Sequence, residues 1–311
     1  MREYKNTRNP ILPPDIHIPD GEGHVMPDGR LYIYGSYDEI ENEDCSDRYY
    51  VVSTADMKKM VIHDEAFTAE TVTWIHDGDA PKYPGIDREH PTPFMKKILE
   101  EAAGSNDIQE EGDETDDEEA VFLYAPDCIY KDGRYYLYYC LKFCDFISVA
   151  VCDTPAGRYE YYGKAAYPDG RLLSENLPYD PAVLVDDGKV YLYYGFAPTT
   201  LQIPRYRGAE MPGGSVVELE ADMRTVKRGP YVVLPSSEYG TGTSFEGHEY
   251  FEAPSIRKIG ELYYLVYSSV HAHELCYAVS RDPMGGFLFG GVIVSNGDIG
   301  YEGRKTEDRL M

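Results

Sequence analysis

The hydrophobic positions of this chain recur with the period of strands rather than helices. In "RYYLYYCL" (134–141), Tyr135, Leu137 and Tyr139 fall on one side of an extended chain and Tyr136, Tyr138 and Cys140 on the other, because successive strand side chains alternate between faces. A strand apolar on both faces has to be covered on both, as when one sheet packs between two others. The runs "RLYIYGSY", "RYYVVST" and "ETVTWI" predict further strands within 22–75, and strands resume at Val121 and continue with turns toward the C-terminus.

One phrase is written four times. It reads "EGHVMPDGRLYIY" at 22–34, "APDCIYKDGRYYLYY" at 125–139, "DPAVLVDDGKVYLYY" at 180–194, and "APSIRKIGELYYLVYSS" at 253–269 directly behind Glu252. Each copy has an acid, a proline or glycine, a short apolar run, a Gly-centred turn and a Tyr-rich run, which is the pattern of a β-hairpin. Self-similarity over tens of residues marks a repeat architecture. The copies are unevenly spaced, as blades with variable loops are and solenoid repeats are not. A β-propeller suits strands buried on both faces, since radial repetition leaves only short edges.

Two segments break the pattern. Residues 1–19 carry four prolines and read as an irregular lead-in. Residues 80–120 hold a Pro/Gly stretch, a short helical run "FMKKILEEAA" and the acid run "EEGDETDDEE". Like charges in series repel, so this reads as a disordered surface insertion. It lacks the glycine and ligand order of a calcium loop.

Composition narrows the partners. A net charge of −26 excludes nucleic acid and anionic membrane surfaces, both polyanions. No run reaches the length of a membrane span. The opening "MREYKNTRNPILPP" has no apolar h-region, so six cysteines imply reduced thiols and a cytoplasmic protein. Four of them, Cys128, Cys140, Cys144 and Cys152, fall in the second repeat. "CLKFC" lacks zinc or redox spacing, and buried structural thiols are expected. Tyrosine is abundant, with 30 residues against one Trp and 10 Phe, and offers an apolar ring with a polar tip.

The first strand of each propeller blade lines the central channel. Asp20 or Glu22, Asp127, Asp180 and Glu252 would then point from different blades toward one axis. Crowded carboxylates cannot all ionise, so one has its pKa raised. A raised acid beside an ionised one is what glycoside hydrolysis needs. An acid beside a turn also simply bonds backbone amides, and that plainer reading weighs most for Asp180. His24 and His273 are candidates for sugar contact, against the plainer reading of a satisfied polar residue.

At this point the chain resembles glycoside hydrolase family 43. The resemblance rests on "NPILPPDIHIPDGEGHVMPDGRLYIYGSYD" (9–38), "YAPDCIYKDGRYYLYY" (124–139), "DPAVLVDDGKVYLYYG" (180–195), "FEAPSIRKIGELYYLVYSS" (251–269) and "HELCYAVS" (273–280). It implies an all-β, five-bladed propeller over 1–311 as a single catalytic domain, acting on β-xylosides and α-L-arabinofuranosides. On the family pattern Glu252 is the general acid and Asp127 tunes its pKa and orients it. The general base is an acid of the first blade. Asp20 is the family's residue type and is favoured, whereas Glu22 stands next to Gly23, which replaces the family's proline. Two apart, these acids share a face on an extended strand. Tyr124 stands where the family often has Trp, so a sugar ring could pack on it. Asp180 matches an acid the family keeps without a chemical step.

The activity implied is inverting, exo-acting hydrolysis of short xylan- or arabinoxylan-derived oligosaccharides. No redox or nucleotide cofactor is implied, and calcium on the propeller axis is an option; no metal ligand is assigned. Family members continue into a fifth blade. The fourth copy finishes near "GGVIVS" (290–295), and the 16 residues after it are too few for four strands of about 5–6 residues. The fifth blade is therefore expected to be missing or incomplete. Two rivals stand beside this reading: a non-catalytic carbohydrate-binding propeller, and a propeller glycoside phosphorylase. The latter needs a basic phosphate cradle, and Arg257 and Lys258, being adjacent, point to opposite faces.

Overall fold

A computed structural model of the chain describes residues 2–5, 11–13, 16–38, 45–73, 122–141, 144, 146–198, 211–271 and 274–295, without the side chains of 2, 64 and 65. The expected insertion at 80–120 and the tail at 296–311 lie outside the described residues.

Each repeat builds one antiparallel sheet whose strands lie side by side in chain order. The first holds β2 (Glu22–Val25), β3 (Leu31–Gly35), β4 (Arg48–Thr54) and β5 (Lys59–Thr68), with β1 (Arg2–Lys5) added outside β5. The second holds β6 (Asp127–Lys131), β7 (Arg134–Tyr139), β8 (Ser148–Cys152) and β9 (Glu160–Lys164). The third holds β10 (Ala182–Asp186), β11 (Lys189–Tyr194), β12 (Gly213–Leu219) and β13 (Val226–Pro235). The fourth holds β14 (Tyr250–Ile259), β15 (Leu262–Ser269), β16 (Glu274–Ser280) and β17 (Leu288–Ser295). The chain divides into two compact units, Met1–Ala165 and Ala166–Met311, each with two of these sheets.

The repeated phrase is the first hairpin of each sheet. Asp132-Gly133 and Asp187-Gly188 all have positive φ and join Lys131 to Arg134 and Asp186 to Lys189. Two left-handed residues in a two-residue loop make the type I′ turn, whose twist matches that of the strands.

The structure corrects two expectations. The lead-in is not wholly irregular: Arg2–Lys5 pairs with β5, placing Tyr4 opposite Met60. Ile16 is buried with Val52, Met60 and Ile62, and Tyr4, Ile11, Leu12 and Ile18 pack on them. The apolar residues between the prolines therefore seal a face of the first sheet. The described part of "ETVTWI", residues 70–73, is also not a strand. The ladder ends where Thr68 meets Arg48, at the start of β4. Beyond it the Val72 amide donates to the Ala69 carbonyl (2.9 Å) and Thr71 Oγ1 to the Thr68 carbonyl (2.7 Å), closing one 3₁₀ turn at Ala69–Thr71.

The tyrosines tie sheet to sheet within each unit. Tyr34 on β3 donates its hydroxyl to the Pro155 carbonyl of the β8–β9 turn (2.7 Å). Tyr193 on β11 does the same to Pro283 in the β16–β17 turn (2.6 Å). Both phenols are buried, which pushes their pKa well up and keeps them neutral donors. A ring that fills apolar space and ends in a donor suits this place. The thiols are unpaired by disulfides, and Cys45, Cys128, Cys140, Cys144 and Cys276 are buried while Cys152 is partly so, as expected.

Candidate active site

In the first unit, three of the expected residues meet. Glu22 and His24, two apart on β2, point to one side, and Asp127 opens β6. His24 Nε2 lies 2.6 Å from Asp127 Oδ1 and 3.8 Å from Glu22 Oε1. The Cys128 amide donates to the same Asp127 oxygen at 2.6 Å. The Asp127 side chain is only 1% exposed, so these bonds hold a sealed carboxylate in one orientation.

Asp20 sits apart from that cluster's strand. It is exposed, lies in a bend before β2 and has φ 55°. Ser36 Oγ donates to its Oδ2 at 3.0 Å. The chain is not extended from Asp20 to Glu22, so the expectation that they share a strand face fails: a left-handed residue breaks the alternation on which it rested. Tyr124 is half-buried, with its amide bonded to the Cys140 carbonyl (3.0 Å) and its own carbonyl accepting the Tyr49 hydroxyl. Burial holds the Tyr49 phenol well above its usual range, and Cys140, Cys45, Tyr139 and Asp20 add to this, which puts Asp20 in the same neighbourhood.

In the second unit, Asp180 Oδ2 accepts a bond from the Ala253 amide at 3.1 Å. Glu252 pairs with Ser268, but the next pairing joins Ser255 to Val266. One extra residue on β14 makes a β-bulge, and Ala253 takes it up with φ 56°. Left-handed alanine is strained, and Pro254 has no N–H for a regular ladder. Bulges are a common device beside functional sites, and Glu252 at this one remains half-exposed. Tyr250 lies within electrostatic reach of both acids. It is buried and donates to the Gly195 carbonyl at 2.8 Å, and its phenol is pushed well up, first by burial and then by Asp180 and Glu252. Phe251, between Tyr250 and Glu252, packs on Phe196 (5.5 Å), which meets Tyr179 (5.8 Å).

Register shows that the acids of the repeated phrase occupy two kinds of place. Glu22 pairs with Tyr34, Asp127 with Tyr138 and Ala182 with Tyr193. Tyr34 and Tyr193 make the same hydroxyl-to-proline bond, so Glu22 and Ala182 are equivalent positions. Asp20 and Asp180 then correspond too, each two residues upstream and each with φ of 50–55°.

A model of glycosyl hydrolases family 43 matches residues 101–287. The chain belongs to that family. It is 39% identical over 313 residues to a xylosidase/arabinosidase of Thermoclostridium stercorarium, covering 99% of this chain and 56% of that protein. It is 31% identical over 192 residues to a beta-xylosidase of Xylanibacter ruminicola, covering 55% of this chain and 57% of that protein. The chain thus spans little more than half the length of these curated relatives. A family 43 beta-xylosidase/alpha-arabinofuranosidase from a compost microbial metagenome, solved with xylotriose, superposes with a TM-score of 0.63 at 24% identity, covering 94% of this chain and 82% of that one. The likeness gives the fold: an all-β propeller, of which four blades are described in this chain.

Family 43 enzymes need no cofactor in general. Calcium takes six to eight oxygen ligands. Among the described residues, groups able to hold a metal are Glu22–His24–Asp127 and His248–His271–Glu274. Both bring imidazole, so neither fits calcium. No helix among the described residues is long and apolar enough to cross a membrane. His273 lies outside the described residues. Sequence reasoning missed Ser36, Tyr250 and the bulge at Ala253. Only Pro254 behind an acid hinted at the last, since a proline inside a strand pattern marks an irregularity.

Proposed function

We propose that the chain is an inverting, exo-acting glycoside hydrolase that releases xylose or arabinose from xylan- or arabinoxylan-derived oligosaccharides, with the two units acting as one catalytic domain. Glu252 is the general acid that protonates the departing glycosidic oxygen. Asp20 is the base that activates water, with Glu22 as the alternative. An inverting pair needs about 6.5–9.5 Å between the two carboxyls, leaving room for that water. Tyr124, His24 and His273 are the sugar contacts. The bulge carries this reading: the ladder is irregular on both sides of Glu252, which still pairs with Ser268 and stays accessible to a leaving group. The names of the relatives support the substrate class. Six thiols without a disulfide suit the cytoplasm.

On the family pattern, Asp127 tunes and orients the acid. The bond from the Ala253 amide to Asp180 favours a second reading of that role, because Asp180 is the acid tied to the residue after Glu252. The phosphorylase is disfavoured by Lys258, whose Nζ lies 2.7 and 2.8 Å from the two Asp186 oxygens and is thus engaged away from any phosphate. The binding module is disfavoured because every acidic role has a candidate.

Glu252→Gln tests the proposal. Turnover of xylobiose and arabinosyl oligosaccharides should fall about 10²–10⁴-fold, the usual worth of a positioned general acid. Nitrophenyl glycosides, whose leaving group needs little protonation, should lose far less. Near-full activity of the variant on xylobiose would remove Glu252 from the role.

A further inference from the structure

A second cluster of ligating side chains lies near the start of β14, outside the chemistry described above. His248 stands two residues before Tyr250, His271 in the turn after β15, and Glu274 at the first position of β16. One ligand atom from each lies within 4.8 Å of the others. We infer that His248, His271 and Glu274 form a binding site for a divalent transition metal of the zinc class.

The donor set argues for that class. Two imidazoles and a carboxylate are the ligands zinc takes in three-residue protein sites, with a fourth position for water. Nitrogen donors do not suit calcium or magnesium, which take oxygen. The geometry is close to what the ion needs. Bonds of about 2.0–2.1 Å in a tetrahedral site put ligand atoms about 3.3 Å apart. His248 Nδ1 and Glu274 Oε2 are already 2.9 Å apart. His271 is exposed at a turn, with a ring nitrogen within 4.8 Å of the other two ligand atoms, so a small side-chain adjustment would bring the three to that spacing.

The surroundings are those of a built site. Metal-binding histidines usually donate their other ring N–H to a carbonyl or carboxylate, which fixes the tautomer. His271 Nε2 lies 2.8 Å from the Gly247 carbonyl. A carbonyl only accepts, so Nε2 carries the hydrogen, and in the neutral ring the lone pair sits on Nδ1. The His248 ring is stacked on Phe289, with centroids 4.7 Å apart and planes 6° from parallel. Its backbone is pinned as well: its carbonyl accepts the Tyr267 hydroxyl at 2.6 Å and its amide donates to Phe245 at 2.7 Å. Glu274 is 1% exposed, and Ser269 Oγ donates to its Oε2 at 2.6 Å. A divalent ion would add positive charge beside this buried carboxylate, in a setting where charge–charge attraction is little screened. On binding, the ion takes the place of the proton between His248 Nδ1 and Glu274 Oε2, which leaves to solvent.

Such an ion would clamp the segment leading into β14 to the β15–β16 turn. Glu252 follows His248 by four residues and pairs with Ser268, next to Ser269. The site therefore braces the hairpin that bears Glu252 and takes no part in its chemistry.

The test uses the full chain, stripped with a chelator and titrated with zinc sulfate by calorimetry, and with cobalt(II) chloride by visible absorption. One equivalent of zinc should bind in the micromolar range or tighter, with a rise in Tm and tetrahedral cobalt bands. His271→Ala, at an exposed position that does not risk the fold, should weaken zinc binding at least 10-fold and abolish the cobalt bands. His24→Ala should leave both unchanged. Absence of binding at 100 micromolar zinc, undiminished binding in His271→Ala, or loss in His24→Ala instead would each overturn the assignment.

Discussion

Asp127 and Glu252 both head a hairpin of the same repeated phrase, yet their surroundings are opposite. Asp127 begins a regular ladder, is sealed from solvent, and has a histidine and its neighbour's amide on one oxygen. Glu252 sits on a bulge, half-exposed, with a left-handed alanine behind it and that alanine's amide held by Asp180. A repeat can thus supply the same residue type at the same point and give it two fates. A regular strand packs its first side chain inward, whereas a bulge turns one toward the substrate. Burial and partners hold a carboxylate still; access lets one exchange a proton.

The largest effect that would sharpen this contrast concerns the base. Asp20→Asn should lower turnover about 10²–10⁴-fold, with partial rescue by azide as an external nucleophile, while Glu22→Gln loses less. Rescue confined to Glu22→Gln would transfer the role to Glu22. A smaller effect should separate the sealed acid from the accessible one. His24→Ala leaves a buried carboxylate with one fewer partner, which costs about 1–3 kcal/mol, read as a fall in the chemical-denaturation midpoint. An unchanged midpoint would mean that the His24–Asp127 bond does not hold the first unit together.

The smallest effect lies on the surface. Lys258 and then Tyr263 bond Asp186 and hold its pKa below the usual 3.8. A depressed carboxylate stabilises the fold above its unfolded pKa and loses that contribution as pH falls through the folded value. Asp186→Asn should therefore cost about 0.2–1 kcal/mol at neutral pH, and its difference from the parent should begin to shrink near the unfolded value of 3.8 and vanish only below the lower folded one. A difference that persists there would point to lost packing instead.

Much of this was legible in the sequence. Strand period, Gly-centred turns and the fourfold phrase specify the hairpins, because each is a local preference that the fold leaves intact. The buried thiols follow from composition. What escaped was non-local. Lys59–Thr68 forms the outer part of a sheet because β4 offers it a partner, and residues 70–73 form no strand because that partner ends at Arg48. Arg2–Lys5 becomes a strand by adding to β5, which nothing within those four residues announces. The acids of the phrase looked equivalent in sequence, but positive φ at Asp20, Asp180 and Ala253 is invisible in residue names other than glycine. That hidden backbone is what separates the sealed position from the one at the bulge.

The central claim is that the contact from Asp180 to the Ala253 amide sets the behaviour of Glu252. The pH dependence of kcat on xylobiose, measured for Asp180→Ala and Asp127→Asn beside the parent, tests it most directly. A neighbouring negative charge favours the protonated form of an acid, and a displaced catalytic group costs up to about 100-fold. Asp180→Ala should therefore lower kcat about 10–100-fold and move the alkaline limb of the profile to lower pH, while Asp127→Asn leaves that limb in place. The opposite pattern, a limb moved by Asp127→Asn and untouched by Asp180→Ala, would contradict the account and give the tuning role to Asp127.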